Sequence, residues 1–517
     1  MRVSDHFEKA ALANPDVEFA VFGDLRVTYA EARRTAHAIA TALSREPGLT
    51  AGAVIGIYSS NDPRISMLQM GINRADFAWV GVHDRNAVET NAEVLDFMDA
   101  ELVFFNSRYE KEVRQLRAGN SRVRRWICID ADSPEGESLA SWLDGNFEEF
   151  PYSKPDMMLR ACLVPTGGTT GPSKAVVHTN YTLEQGLIAQ EKAFRIQSRS
   201  RVLSIAPLSH AAGMFAMAFY PSAGTNVIMS GFDAEKALHL IEQERITHLF
   251  MPPTMIGVLL VHPKVKSTDF SSVKMCLTGA APIAPEKFKE IVALLGPVVW
   301  ESYAQSETHM PVTVKAPEDY ILKDGSFDES ALRSAGRAAE YVRIEIMDDD
   351  GNILPRGQRG EIVVSMPSLM QCYYKNPEAT NEVSAFGFHH TGDVGIMDDA
   401  GFVTIVDRKK DMIVSGAFNI FPSEIEKIIY EIPAVQDCIV VGAPHEKWGE
   451  AVTAVIQLKP GHALNEDEVL ELCRERLGGM KTPKRVEIWS ELPRSPVGKL
   501  LRRVVREQFW QGHWRSI

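Results

Sequence analysis

Hydrophobic positions along this chain follow two periods in turn. Residues 27–43, "VTYAEARRTAHAIATAL", bring apolar side chains back at helical spacing, which predicts an amphipathic helix. "GAVIGIYSS" is a short, nearly unbroken apolar run and predicts a buried strand. "AEVLDFMDAELVFFN" changes from the helical period to a strand-like run within one segment. The alternation continues with "RVLSIAPL" (strand), "DAEKALHLIEQERI" (helix), "THLFMPP" (strand) and "SVKMCLTGAAP" (strand into turn). Helix-forming and strand-forming segments in alternation predict an α/β layered architecture.

The character of the pattern changes near Asp407. "GFVTIVDRKKDMIVSG" places five consecutive charges between two β-like runs. Helices are expected at "PSEIEKIIYEI" and "NEDEVLELCRERL", where Asn465 and Glu468 have capping-box spacing. Strands are expected at "DCIVVGAP", "AVTAVIQLK" and "RVEIWSEL". The expected organisation is therefore a large N-terminal α/β domain over 1–406, a hinge at 407–411, and a small α+β C-terminal domain over 412–517.

With 517 residues, 45% hydrophobic and 24% charged, the composition is that of a globular protein of more than one domain. A net charge of −13 excludes the broad basic face that a nucleic acid or an anionic membrane requires. It leaves room for a small anion held by local cations. The six cysteines are scattered without CxxC spacing, several within apolar runs, as expected of reduced, buried thiols in a cytoplasmic protein. A thiol nucleophile has no cationic setting to support it. The N-terminal stretch has no apolar segment of signal-peptide type. The apolar region between Val202 and Gly224 is interrupted by proline, histidine, serine and glycine, so no membrane span is expected.

Candidate chemistry begins at "LVPTGGTTGPSKAVVHTN", residues 163–180. Unlike a P-loop, in which Gly-Lys-Ser/Thr opens a helix, this stretch runs on into the β-branched "AVVHT". It therefore predicts a strand, a loop and a strand. Glycines at 167, 168 and 171 let main-chain N–H groups turn toward an anion, Thr166, Thr169, Thr170 and Ser173 add hydroxyl donors, and Lys174 adds charge. A flexible hairpin tip is the alternative reading of such a cluster. The run of small residues closed by lysine favours a nucleotide's β- and γ-phosphates.

Five further stretches, in order, complete a resemblance that spans essentially the whole chain. They are "LTGAAPI" (277–283), "SYAQSE" (302–307), "HTGDVG" (390–395), "DRKKD" (407–411) and "PRSPVGKLLR" (493–502). With the glycine loop they resemble the signature motifs of the adenylate-forming superfamily: acyl-CoA synthetases, nonribosomal-peptide adenylation domains and beetle luciferases. The resemblance implies ATP-dependent activation of a carboxylic acid as acyl-AMP, with release of pyrophosphate and then thioester formation with CoA. In such a reaction two anions must meet, so catalysis consists mainly of positioning and charge neutralisation.

The resemblance also implies residue roles. Lys499 is expected to contact the carboxylate and the α-phosphate, Ser306 to lie beside the α-phosphate, and Glu307 to hold Mg²⁺. Tyr303 is expected on the adenine, with Gly279, Ala280 and Ala281 lining the adenosine site. Asp393 is expected on the ribose hydroxyls, joined by Arg408. His210 belongs at the mouth of an acyl pocket with Ala211, Gly213, Ala280 and Ala304, whose small side chains suggest a bulky or long apolar acid. Pro207, Leu208 and Ser209 stand where amino-acid activators carry an aspartate, which disfavours an amino acid. Lys410 occupies the hinge position.

For the thioester half, Gly416, Ala417 and Trp448 are the candidates. Here the chain departs from the family. Ser415, Gly416, Ala417, Phe418 and Asn419 replace the usual Ser-Gly-Gly-Glu-Asn, Thr482 stands where an arginine would suit the CoA phosphates, and Ala304 replaces a glycine. Two acceptors therefore stay open: CoA itself, or a phosphopantetheine carrier or partner ligase that receives the acyl-AMP. A luciferase-like oxygenase and a non-catalytic nucleotide-binding protein are the remaining alternatives. The resemblance allows a homodimer, but the residues fix no oligomeric state.

Overall fold

The computed structural model describes residues 1–84, 86–120, 122–145, 147–166, 174–209, 211–279, 281, 283–415, 418–494 and 500–511. Gly167, Gly168, Thr169, Thr170, Gly171, Ser173, His210, Ala280, Gly416, Ala417 and Lys499 lie outside them. The chain forms two compact units. The first holds the described residues up to Ile344 plus Val364–His389, and the second holds Glu345–Val363 plus those from His390 onward. Asp407, the boundary expected from sequence, falls inside the second unit.

Two large sheets organise the first unit. In one, the strands Val299–Gln305, Met275–Gly279, His248–Phe250, Arg201–Ser204, Thr225–Ile228 and Glu18–Phe22 lie side by side in parallel. Antiparallel His309–Lys315 flanks Val299–Gln305. The other sheet runs Cys372–Tyr373, Lys174–Thr179, Arg160–Thr166, Ala78–Val82, Val54–Tyr58, Ala100–Phe105 and on to Arg125–Cys128. Parallel strands buried on both faces need apolar runs rather than alternation, and Val54–Tyr58 and Ala78–Val82 are buried at every position.

The helices Tyr29–Arg45, Pro63–Arg74 and Asn180–Ala193 share one continuous apolar core with both sheets. Local chemistry starts them: Thr28 and Glu31 form a reciprocal capping box, and Asp62 caps the next helix with Pro63 in its first turn.

The second unit carries most of a sheet ordered Arg343–Met347, Arg359–Ser365, His389–Met397 and Val403–Arg408. It also holds a sheet of Phe418–Ile420, Ile413–Ser415, Gly449–Leu458 and Val435–His445, with Arg485–Trp489 beside Gly449–Leu458. The helices Pro422–Ile429 and Glu466–Lys481 pack into its apolar core. The α/β class, with a large N-terminal and a small C-terminal part, is as expected.

One local expectation is corrected. Asn465 does cap the Glu466–Lys481 helix, but its side chain accepts from the Asp467 N–H. Bonding one residue earlier than a capping box requires leaves no reciprocal bond from Glu468. Among the described residues, no helix is long and apolar enough to cross a membrane. The six cysteines are free thiols, five buried and Cys372 half-buried. Burial pushes the thiols of Cys276 and Cys473 up, to about 12 and about 11, so neither supplies a thiolate nucleophile.

Candidate active site

The glycine loop is bracketed as its composition predicts. Strands Arg160–Thr166 and Lys174–Thr179 pair antiparallel, Thr166 opposite Lys174, and the Thr166 hydroxyl donates to the Lys174 carbonyl at 3.2 Å. The two flanking residues thus close the hairpin's mouth. Along Lys174–Thr179 the side chains of Lys174, Val176 and His178 share one face, because strand side chains alternate.

That face meets the "SYAQSE" stretch. Ser306 and Glu307 sit in the turn of a hairpin formed by Val299–Gln305 and His309–Lys315. The His178 Nε2–H donates to the Ser306 carbonyl at 2.8 Å. The Ser306 side chain is exposed and Glu307 half-buried.

A third segment joins them. Cys372–Tyr373 pairs with Val177 and Val176, and the buried Tyr373 hydroxyl donates to Glu307 Oε1 at 2.7 Å. The Lys174 ammonium lies 4.8 Å from the centre of the same tyrosine ring. Burial raises the Tyr373 phenol far above its ordinary range, and the adjacent Glu307 charge raises it further. Tyr373 therefore stays protonated and keeps donating. Burial also drives His178 down to about 3 and His309, whose ring packs edge-on at 5.5 Å, down to about 4. Both rings are neutral, so His178 acts as a fixed donor.

The remaining residues of the first unit have plain positions. Gly279 ends the Met275–Gly279 strand opposite Ser302, where a Cβ would come within 2.6 Å of the Ser302 carbonyl. Tyr303 follows on the next strand, its N–H bonded to Thr313 Oγ1 at 3.3 Å, and Ala304 packs partly buried against the core. Ala281 is exposed. Ala211 opens the Ala211–Met217 helix on its exposed side.

Gly213 has a packing explanation: a Cβ there would sit 1.9 Å from the Leu208 carbonyl. The preceding loop is held by buried Asn61. Its Nδ2 donates to the carbonyls of Ala206 and Met229 at 3.1 and 2.9 Å, and its Oδ1 accepts from the Leu208 N–H at 2.8 Å.

In the second unit, Asp393 is buried and lies directly opposite Arg408 on the neighbouring strand. The Arg408 Nε stands 3.3 Å from Asp393 Oδ1, with the arginine half-exposed. Glu361 organises the turn before Asp393. It accepts from the Gly392 N–H at 3.0 Å and lies 3.1 Å from both His390 Nδ1 and Lys409 Nζ. Burial works to raise the Glu361 carboxyl, but these partners outweigh it and hold it below the usual carboxylate range.

Lys410 lies exposed in a single turn of 3₁₀ helix, Lys409–Asp411. Trp448 stacks on His445 with ring centres 4.2 Å apart, and the ammonium groups of Lys484 and Lys447 stand 5.7 and 6.0 Å from its ring. Exposed Phe418 pairs with Ser415 across the short hairpin there.

Tyr373, His178, Asn61 and Glu361 were absent from the sequence expectations. His178 shares a strand face with Lys174, a period-of-two signal readable in "KAVVH". The other three act through partners more than a score of residues away, and no local pattern marks them.

Comparison with known proteins agrees with the motif order. The family model "AMP-binding enzyme" matches residues 7–374, and its companion "AMP-binding enzyme C-terminal domain" matches 424–499. A medium/long-chain-fatty-acid–CoA ligase of Mycobacterium tuberculosis is 32% identical over 487 residues, 91% of this chain and 84% of that protein. A feruloyl-CoA synthase of an Amycolatopsis species is 32% identical over 503 residues, 97% of this chain and 98% of that protein. Among solved structures, an amide bond synthetase of Marinactinospora thermotolerans superposes with a TM-score of 0.87 at 27% identity, covering 98% of this chain and all of that one. The chain belongs to the AMP-binding enzyme family, as an acyl-CoA-synthetase-like member of the adenylate-forming superfamily.

Proposed function

We propose that this enzyme activates an apolar carboxylic acid with ATP and transfers the acyl group to CoA. In the first half-reaction a carboxylate oxygen bonds to the α-phosphorus, and the bond from that phosphorus to pyrophosphate breaks. In the second, the CoA sulfur bonds to the acyl carbon, AMP leaves, and the thiol proton goes to solvent. The observation that carries the reading is the meeting of two motif segments, the glycine-loop hairpin and "SYAQSE", with the Cys372–Tyr373 strand around Lys174, Tyr373 and Glu307. A cation and a carboxylate stand beside the mouth of the glycine loop, where the phosphates have to be neutralised.

Glu307 would hold Mg²⁺, which takes one or two protein carboxylates and fills its shell with phosphate oxygens and water. Among the described residues, no group of three or more His, Cys, Asp or Glu forms a metal cage, in keeping with such a site. Bound there, the ion would supply positive charge against the phosphates. Lys174 and the loop 167–173 hold the β- and γ-phosphates. Tyr303 takes the adenine, Asp393 with Arg408 takes the ribose diol, and Lys499 supplies the mobile ammonium, with a hinge at Lys410.

The apolar acid is supported by Ala211 and Ala304. It is also supported by relatives named for medium- and long-chain fatty acids and for feruloyl-CoA. Those names favour CoA as the acceptor, and the stacked Trp448 with Lys484 and Lys447 beside it suits a nucleotide bearing phosphates.

The test is acid-dependent pyrophosphate release across short, long, aromatic and amino acids, with products followed by time-resolved mass spectrometry. Apolar acids are expected to drive release, with acyl-AMP converted to a CoA ester, and Lys499→Ala is expected to abolish release without unfolding the chain. Release only with amino acids would overturn the apolar reading. Acyl-AMP that persists beside free CoA would show the acyl group going to a carrier or partner enzyme instead.

A further inference from the structure

Opposite charges within reach of one another normally pair, and a paired ammonium and carboxylate have little left for a ligand. Lys174 and Glu307 are brought to the same place by two different hairpins, yet neither contacts the other through an ion pair in the described structure; a single side chain stands between them. Tyr373 presents its ring face to the Lys174 ammonium, 4.8 Å from the ring centre, and its hydroxyl to Glu307 Oε1, 2.7 Å away. A π face attracts a cation without using its N–H donors. A hydroxyl that occupies one carboxylate oxygen leaves the other oxygen's lone pairs to accept elsewhere.

The backbone around Tyr373 is fixed to both hairpins at once. Its own N–H is held by Thr380 Oγ1 at 3.0 Å. Tyr374 N–H and Gln371 N–H donate to the carbonyls of Ala175 and Val177 at 2.7 and 2.9 Å, which ties the segment to the strand that begins with Lys174. Met370 N–H donates to the Glu307 carbonyl at 2.7 Å, and Ser368 Oγ to the Thr308 carbonyl at 2.9 Å, which ties it to the turn that carries Glu307. The residue is 6% exposed. Its position is therefore set by the chain and not by solvent.

We propose that Tyr373 is a positioning residue of the adenylation half-reaction, a spacer that holds the Lys174 ammonium on its face and the Glu307 carboxylate on its hydroxyl so that each stays available to the nucleotide and its metal. This rests on the function proposed above. It adds a division of labour within one side chain: the face serves the phosphate cation and the hydroxyl serves the metal carboxylate.

Because the two roles reside in different atoms, two variants separate them. Tyr373→Phe keeps the face and removes the hydroxyl, whereas Tyr373→Leu removes both. The first readout is binding of a fluorescent ATP analogue to the full chain in EDTA, which requires no turnover. The second is pyrophosphate release titrated with MgCl₂.

Tyr373→Phe is expected to leave metal-free nucleotide affinity within about twofold and to raise the Mg²⁺ concentration for half-maximal release about tenfold, the scale of one hydrogen bond to a charged group. Tyr373→Leu is expected to show that shift and also to weaken metal-free binding about fivefold, the scale of a lost cation–π contact. In the Glu307→Gln background, Tyr373→Phe should add no further Mg²⁺ shift.

A Tyr373→Phe enzyme with wild-type Mg²⁺ dependence would overturn the proposal. So would one in which both readouts fall together with the melting temperature, the mark of a purely structural side chain. Should the leucine variant fail to fold, the phenylalanine variant still decides the hydroxyl's role. If the wild-type chain releases pyrophosphate with no acid at all, the function proposed above fails, while the metal-free binding comparison still tests the ring.

Discussion

His178, His248 and His309 are enclosed so fully that burial lowers their pKa values from 6.5 to about 3, about 4 and about 4. A neutral buried imidazole costs nothing above pH 6.5, where the unfolded chain also leaves it uncharged. As the pH falls through 6.5, the unfolded chain binds protons that the folded chain refuses, and stability declines until the folded values near 3 to 4 are reached. One unit below 6.5, each ring withdraws about 1.4 kcal/mol, or roughly 4 kcal/mol for the three. Thermal unfolding followed between pH 7.5 and 5.0 is expected to show a steady loss that begins near 6.5. Replacing His248 by Gln, which lies away from the candidate site, should flatten that loss by about a third.

At the level of elements, the five consecutive charges of "DRKKD" divide between solvent and the interior. Lys410 is exposed, but Asp407 and Asp411 turn inward to Arg502, 3.6 and 3.0 Å away, and Glu426 faces the same guanidinium at 2.7 Å. Arg502 opens the Arg502–Trp510 helix. Just before it, Leu501 N–H donates to the Pro493 carbonyl at 2.8 Å, and Leu500 bridges Arg494, so the stems on either side of 495–499 are joined.

Arg502→Met would leave three carboxylates without their shared cation, at an expected cost of about 3–5 kcal/mol in urea unfolding. Arg502→Lys should recover less than half of it, since a point charge cannot fork across several carboxylates. Strands and helices themselves were legible because each carries its own period, as "VIGIY" and "PSEIEKII" do. The Arg502 cluster was not, because its acids lie 76 to 95 residues earlier along the chain. The Asn465 cap was legible in kind but not in detail, since two neighbouring N–H groups compete for one side-chain oxygen.

For the molecule as a whole, the motif order gave the family and the two-part architecture, while the contacts that align the motifs with one another lay beyond it. Nothing in "QCYYKNPE" marks Tyr373 as the residue between Lys174 and Glu307; only the pairing of Cys372–Tyr373 with the Lys174–Thr179 strand does so. The net charge of −13 and a pI near 5.6 place the loss of electrostatic repulsion inside the same pH window as the loss of histidine-linked stability. Light scattering during slow acidification is expected to rise sharply around pH 5.6 and to be suppressed by buffers held above 7. Asn61, finally, has a bearing on redesign. A single amide in the turn between the Val54–Tyr58 strand and the Pro63–Arg74 helix fixes the main chain of residues 205–208 and its neighbour at 229, so part of this loop's shape is set from a distant place in the sequence. Libraries that vary the chain near this loop should therefore keep Asn61, because its loss would release the Ala206 and Met229 carbonyls and the Leu208 N–H together.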